Sequence, residues 1–288
     1  MSLTNTDKSI LITGCSSGIG LAVAHGLKGR GYRVFATARQ LSDVTRLQQA
    51  GFEACQLDLD NSDSIRAAVD WTLQQTGGNL YALFNNAAYG QPGAVEDLSR
   101  DVLRQQFETN LFGTLELTNL LIPLMRRQGY GRIIQNSSVL GLITLKYRGA
   151  YNASKFALEG LTDTLRQELH GSSIFVSLVE PGPITSDFRK NAYAKFKQNI
   201  IVKGSAHQQT YEAVEKRLAA DPDPDKKDPF TLGPEAVLKK VIHALEAEKP
   251  KARYYVTVPT YLFAYLRRLL SANILDIVLR RASDSENR

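Results

Sequence analysis

Tyr151 and Lys155 stand four residues apart in the stretch G-A-Y-N-A-S-K-F-A-L-E, which runs from Gly149 to Glu159. Phe156, Leu158, Leu161, Leu165 and Leu169 recur around them at helical spacing. A helix is therefore predicted that projects the phenol and the ammonium from one face, one turn apart. A cation beside a phenol favours phenolate and draws a tyrosine pKa down from about 10 toward the working pH, as a general acid or base requires. An isolated Y-x-x-x-K pair is far more often an exposed surface feature, so its meaning depends on what accompanies it.

The preceding elements form a phosphate site. Ser9–Thr13 is a short apolar run predicted to be a buried strand, and Gly14, Gly18 and Gly20 follow in G-x-x-x-G-x-G spacing. A helical pattern through Leu21, Val23, Ala24 and Leu27 comes next. Strand, glycine turn and helix in that order let backbone approach a pyrophosphate and aim the helix N-terminus at it. Cys15 falls near that N-terminus, where a dipole can lower a thiol pKa, but no base or resolving cysteine accompanies it, so no reactive role is expected. The second strand, Tyr32–Thr37, ends at Ala38, Arg39 and Gln40. An acid at such a strand end accepts from a ribose 2′-hydroxyl and an arginine suits a 2′-phosphate, so Arg39 points to NADP(H) over NAD(H). Phe52–Leu57 is a third strand, closed by Asp58, Leu59 and Asp60. Asn61 or Ser62 is placed to cap a helix through Ile65, Ala68, Val69 and Leu73 that stops at Gly77 and Gly78. Leu80–Phe84 is a fourth strand. Strand and helix alternating at this pitch predict a parallel sheet covered on both faces.

These segments resemble the short-chain dehydrogenase/reductase family. T-G-C-S-S-G-I-G from Thr13 to Gly20 is similar to its T-G-x-x-x-G-x-G, and N-N-A-A from Asn85 to Ala88 to its N-N-A-G. Asn110, in T-N-L-F-G, falls where the family has a helix asparagine. A fifth strand, Ile133–Ser138, ends on serines, and Ser138 lies thirteen residues before Tyr151, the family's usual interval. Y-N-A-S-K from Tyr151 to Lys155 matches Y-x-A-S-K, and E-P-G-P-I-T from Glu180 to Thr185 matches the P-G after the sixth strand. The match spans Lys8 to Thr185 and recurs weakly from Thr231 to Val258. Ala88 replaces the usual glycine and would be strained if the backbone there needed positive φ. The wording is similar to bacterial NADP-dependent aldehyde reductases that also resemble retinol and 17β-hydroxysteroid dehydrogenases.

The resemblance implies an α/β fold: a single Rossmann domain over residues 1–258, with a doubly wound parallel sheet of about seven strands and helices on both faces. It implies reduction of hydrophobic aldehydes or ketones with NADP(H). The alternatives are retinol or hydroxysteroid oxidation, or a non-catalytic NADP-binding sensor. Ser138 would donate to the carbonyl oxygen and Tyr151 deliver the proton. Lys155 would lower the Tyr151 pKa and hold the nicotinamide ribose, and Asn110 anchor a water relay to Lys155. The implied cofactor contacts are Gly14, Ser16, Ser17, Gly18, Ile19, Gly20, Arg39, Asp58, Leu59, Asn86 and Ala87, Tyr151 and Lys155 themselves, and Pro181, Gly182, Ile184 and Thr185. A homodimer or homotetramer is implied as well.

The 288 residues, 43% hydrophobic and 22% charged, suit one large α/β domain. The formal charge of +6 permits anionic partners, but Lys and Arg form no long block, so no nucleic-acid groove is expected. Cys15 and Cys55 make no C-x-x-C, and His25, His170, His207 and His243 make no ligand pattern. A reducing compartment and no metal follow. Met1–Lys8 lacks a signal-peptide core and no apolar run reaches the ~18 residues of a spanning helix, so a cytoplasmic location is expected.

After a sixth strand, Ser173–Val179, residues 184–230 resemble the family's substrate lid and close on the run D-P-D-P-D-K-K-D-P, which cannot continue a helix. Gly233 and Pro234 open a further helix, and Arg253–Val258 is a last strand. The tail, 259–288, is amphipathic from Tyr261 to Arg281. It could cover the subunit core, pair with another subunit or make peripheral contact with an anionic membrane surface.

Overall fold

The computed structural model describes residues 8–219 and 230–286, so the charged proline run from Asp221 to Pro229 lies outside the described residues. In chain order the first half holds β1 (Ser9–Ile12), α1 (Gly18–Gly29), β2 (Arg33–Ala38), α2 (Leu41–Gln49), β3 (Glu53–Gln56), α3 (Ser62–Thr76) and β4 (Ala82–Asn85). There follow α4 (Arg100–Phe107), a π-helical turn (Glu108–Phe112), α5 (Gly113–Gln128), β5 (Gly131–Asn136), α6 (Gly149–Glu168) and β6 (Ile174–Glu180). The chain continues with α7 (Phe188–Asn199), α8 (Gln208–Ala219), α9 (Glu235–Glu246), β7 (Arg253–Tyr255), α10 (Val258–Leu269) and α11 (Ala272–Glu286).

The seven strands form one parallel sheet in the order β3-β2-β1-β4-β5-β6-β7. Side-chain alternation splits the core between its faces. Ile10, Ile12, Val34, Ala36 and Phe84 meet Val23, Leu27, Val44 and Val241 from α1, α2 and α9. Leu11, Phe35, Leu83 and Ile133 meet Ile65, Val69, Leu117 and Leu121 from α3 and α5. The strand order reverses between β1 and β4, and a crevice at the carboxyl ends of such strands is where α/β sheets take ligands.

Asn61 caps α3 as expected, its side chain accepting from the Ser64 N–H at 3.0 Å, and Gly77 ends the helix in left-handed conformation. Other boundaries shift. The fifth strand stops at Asn136 because Ser138 turns to cap the short 3₁₀ turn Val139–Gly141, accepting the Leu140 N–H at 3.1 Å. The last strand ends at Tyr255: the Val256 N–H still donates to the Glu180 carbonyl at 3.3 Å, and the chain then turns at Thr257, the N-cap of α10, with Pro259 in the first turn of that helix. Ala88 keeps an ordinary negative φ, as only Tyr147 and Ser173 depart from it among the described non-glycine residues, so the alanine is not strained.

The segment after β6 contains α7 and α8, which share a small core. Phe196, Ile200, Tyr211 and Val214 pack with Ala94, and the Tyr211 hydroxyl accepts from the Ala94 N–H at 2.9 Å and donates to Asp97. On the other side of the crevice α5 begins where it does because Gly113 lies against Leu59: a Cβ there would stand 1.9 Å from the Leu59 carbonyl oxygen. Gly113→Ala is expected to cost about 1–3 kcal/mol of stability by overpacking. Urea unfolding should show a lower midpoint at unchanged slope.

Candidate active site

α6 opens beside the end of β5, and this places the chemistry. Tyr151 lies in its first turn and Lys155 in its second, both buried. The Lys155 ammonium donates to the Asn136 carbonyl oxygen, the last of β5, at 2.7 Å and stands 5.7 Å above the centre of the Tyr151 ring. Ser138, two residues beyond the strand, hydrogen-bonds through its hydroxyl to the Tyr151 side chain. Ser138, Tyr151 and Lys155 are thus brought together. Phe188, the first residue of α7, covers them with its ring centre 5.3 Å from that of Tyr151.

Burial dominates the electrostatics. It pushes the Tyr151 phenol up to about 12, against smaller opposing effects from the Ser138 hydrogen bond and the Arg148 charge. It pushes the Lys155 ammonium down to about 8, with Glu159 acting the other way. Both groups are desolvated, and for the phenol burial outweighs the lowering effects of Ser138 and Arg148.

Asn110 sits in the π-helical turn and holds two elements behind this pair. Its Oδ1 accepts from the Tyr89 N–H at 3.1 Å, and its Nδ2 donates to the Tyr89 carbonyl at 2.9 Å and the Ser154 Oγ at 3.1 Å. It thereby joins the loop after β4 to the turn of α6 between Tyr151 and Lys155.

One turn beyond Lys155, Glu159 enters a buried cluster that the sequence does not reveal. A single guanidinium, Arg253 on β7, meets Glu159 at 3.1 Å, Glu180 at 3.1 Å and Asp163 at 2.6 Å. Glu180 is fully buried, and burial together with the adjacent Glu159 raises its pKa while the Arg253 charge opposes that rise. The cluster clamps α6 to β6 and β7. Its members are scattered along the chain, and no local pattern links them.

The glycine turn is built for close approach. Gly14 and Gly18 have φ of +72° and +56°, and a Cβ on Gly20 would lie 2.1 Å from the Gly14 carbonyl oxygen. Asn86 Nδ2 donates to the carbonyls of Thr13 and Gly14 at 3.0 and 3.1 Å, and Thr13 Oγ1 accepts from the N–H groups of Asn86 and Ala87, each at 2.9 Å. Ser17 caps α1 without a side-chain hydrogen bond, so its hydroxyl does not satisfy the first N–H groups of the helix. These residues fit a dinucleotide pyrophosphate.

The remaining predicted contacts gather on the same side. Arg39 is exposed at the end of β2, its carbonyl held by Gln56 at 2.9 Å, and its charge reaches Tyr89. Asp58 donates its N–H to Ser64 Oγ at 2.9 Å, and Leu59 lies on Gly113. Pro181 accepts from the Val139 N–H at 2.8 Å, Gly182 lies against Thr257, Ile184 bridges to Leu232, and Thr185 donates to Leu232 at 2.9 Å. The next residue, Ser186, closes on Gly18 so tightly that a Cβ there would come within 2.9 Å. Arg46 was missed: from α2 it donates to the Ser16 carbonyl at 2.6 Å, adding a cation at the glycine turn that only the packing of α2 reveals. Ser16 is thereby placed as well.

A family model described as short chain dehydrogenase matches residues 8–197. The chain is 44% identical over 273 residues to the uncharacterized oxidoreductase YbbO of Escherichia coli (strain K12), covering 95% of this chain and 94% of that relative. It is 33% identical over 260 residues to 17-beta-hydroxysteroid dehydrogenase type 1 of Homo sapiens, covering 86% and 77%. A short chain dehydrogenase/reductase from Burkholderia phymatum, in complex with NAD, superimposes with a TM-score of 0.75 at 26% identity, covering 93% of this chain and 94% of that one.

The Cys15 thiol is fully buried, donates to the Ile12 carbonyl at 3.4 Å and is pushed up to about 12 by burial, which outweighs any lowering by the helix N-terminus. Cys55 is raised to about 12 for the same reason. With Ellman's reagent near neutral pH the native protein should yield almost no colour, and both thiols should react once it is unfolded in guanidinium; fast native labelling of Cys15 would contradict its placement.

Proposed function

The chain belongs to the short-chain dehydrogenase family, and on that premise we propose that this oxidoreductase reduces hydrophobic aldehydes or ketones with NADPH. The observation that carries the reading is the meeting of Ser138, Tyr151 and Lys155 at the end of β5, beside a glycine turn fitted for pyrophosphate.

When bound, the reduced nicotinamide supplies the hydride. Gly14, Ser16, Ser17, Gly18, Ile19 and Gly20 would hold the pyrophosphate, and Arg39 would take the 2′-phosphate, with Arg46 as a second cation at the glycine turn. Asp58 and Leu59 would contact the adenosine half, Asn86, Ala87, Pro181, Gly182, Ile184 and Thr185 the nicotinamide half, and Tyr151 and Lys155 would hold its ribose.

Ser138 donates to the carbonyl oxygen, where negative charge grows as the carbon is reduced. Tyr151 transfers its proton to that oxygen. Burial holds that phenol above its ordinary pKa, so the proton stays on the phenol oxygen until the carbonyl takes it. Lys155 reprotonates the phenolate, and water held near Asn110 resupplies Lys155. The apolar surroundings of Tyr151, with Leu140, Ile143 and Leu279 against it and Phe188 above, favour a hydrophobic carbonyl compound over a sugar.

Tyr151→Phe should lower kcat for NADPH-dependent carbonyl reduction by about 10²–10⁴-fold, while NADPH binding, read by cofactor fluorescence, stays nearly unchanged; normal turnover would reject the assignment. Arg39→Ser should raise the KM for NADPH about tenfold, through loss of a charge-assisted hydrogen bond, and leave that for NADH unaltered. Equal effects on both coenzymes would refute the NADP selection.

A further inference from the structure

α10 wears its apolar face outward. Val258, Leu262, Tyr265 and Leu269 recur at intervals of four, three and four residues, which puts them on one stripe with Tyr261 at its edge. All five are exposed, Val258 to 64% and Leu269 to 79%. The inward side holds Thr260 and Ala264, both buried, and Phe263, which packs into the apolar cluster around Tyr151, while Arg267 stacks over Phe156 with its guanidinium 4.9 Å from the ring centre. A helix that only covers a core leaves no such continuous apolar stripe in water. Ile274 and Ile277 in the first turns of α11 are exposed as well. From Val258 to Arg281 the chain carries four arginines, Arg267, Arg268, Arg280 and Arg281, against one acid, Asp276.

We propose that α10, with the start of α11, docks this protein on an anionic lipid surface. The alternative occupant, a second copy, is poorly matched in size. A helix of 12 residues is about 18 Å long, and one stripe of it offers on the order of 200 Å², against ~800 Å² per partner in a stable protein pair. A lipid surface needs no such area from a single patch. Leucine and valine enter the acyl boundary, Tyr261 and Tyr265 keep their hydroxyls at headgroup level, and the surplus arginine charge is complementary to lipid phosphate. Among the described residues no helix is long and apolar enough to cross a membrane, so the contact lies along the surface.

The docking helix is braced against the candidate site. Its preceding residue, Thr257, is fully buried against Gly182, and the Thr257 and Thr260 hydroxyls hydrogen-bond at 3.1 Å. From α11, Leu279 packs with Tyr151, Leu140 and Ile143. If the proposed carbonyl reduction holds, an apolar substrate dissolved in the bilayer would be delivered beside the residues that act on it. The docking itself does not depend on that reaction.

The test is co-sedimentation of the full-length protein with two vesicle types, pure phosphatidylcholine and equal parts phosphatidylcholine and phosphatidylglycerol. The protein should pellet with the anionic vesicles and much less with the neutral ones. L262S/Y265S, which changes only outward side chains, should partition about tenfold more weakly with unchanged circular dichroism and sedimentation coefficient. Arg268→Glu should weaken binding to the anionic vesicles alone. Leu41→Ser, an exposed leucine on α2, should pellet like the unaltered protein. The proposal is overturned if the protein stays in the supernatant with both vesicles, or if L262S/Y265S pellets undiminished. It is equally overturned if that variant dissociates a larger assembly while its vesicle partition stays constant, since the stripe would then be a subunit contact.

Discussion

A lysine amine held in the protein interior by the last carbonyl of β5 is the constraint on which the site depends. The bond from Lys155 to Asn136 fixes how α6 meets the sheet, and so fixes where Tyr151 stands relative to Ser138. Burying that amine is unfavourable. Its pKa of about 8, below the ordinary 10.5, means that the charged form costs the fold stability at neutral pH, a cost relieved as pH rises from about 8 toward 10.5. The cost is tolerated because neighbouring elements determine the arrangement together: Asn110 pins the turn between the two residues, and Arg253 with three carboxylates clamps the next turn.

Close backbone contact is the second theme. Gly14 and Gly20 touch across the phosphate turn, Gly113 accepts the Leu59 carbonyl, and Gly182 accepts Thr257. Each brings backbone from a different element to the carboxyl edge of the sheet, where a side chain would hold the segments apart. Around that edge α7 contributes Phe188 and α11 contributes Leu279, so the polar centre is enclosed by apolar groups from segments distant in sequence. The same enclosure desolvates Tyr151 and keeps its proton in place.

Much of this was readable from the linear chain. The strands, the glycine turn, the Asn61 cap, the Gly77 stop and the spacing from Ser138 to Tyr151 depend on neighbours a few residues away, and local periodicity and turn chemistry report such neighbours well. Ala88 proved unstrained and the last strand shorter, because both questions turn on backbone angles and edge pairing that residue type only biases. Arg46, Phe188 and the Arg253 cluster were not visible, since each acts on a group more than twenty residues away.

Residue types and spacing determined which functional groups are present, in what order, and on which strand ends and helix faces they fall. Only the tertiary structure decided their state. It buried the tyrosine and the lysine together, enclosed Cys15, and turned the apolar stripe of α10 toward solvent. The reason is that a pKa or an exposed face depends on how much water is excluded, and that is set by which distant segments pack around a group rather than by its neighbours along the chain.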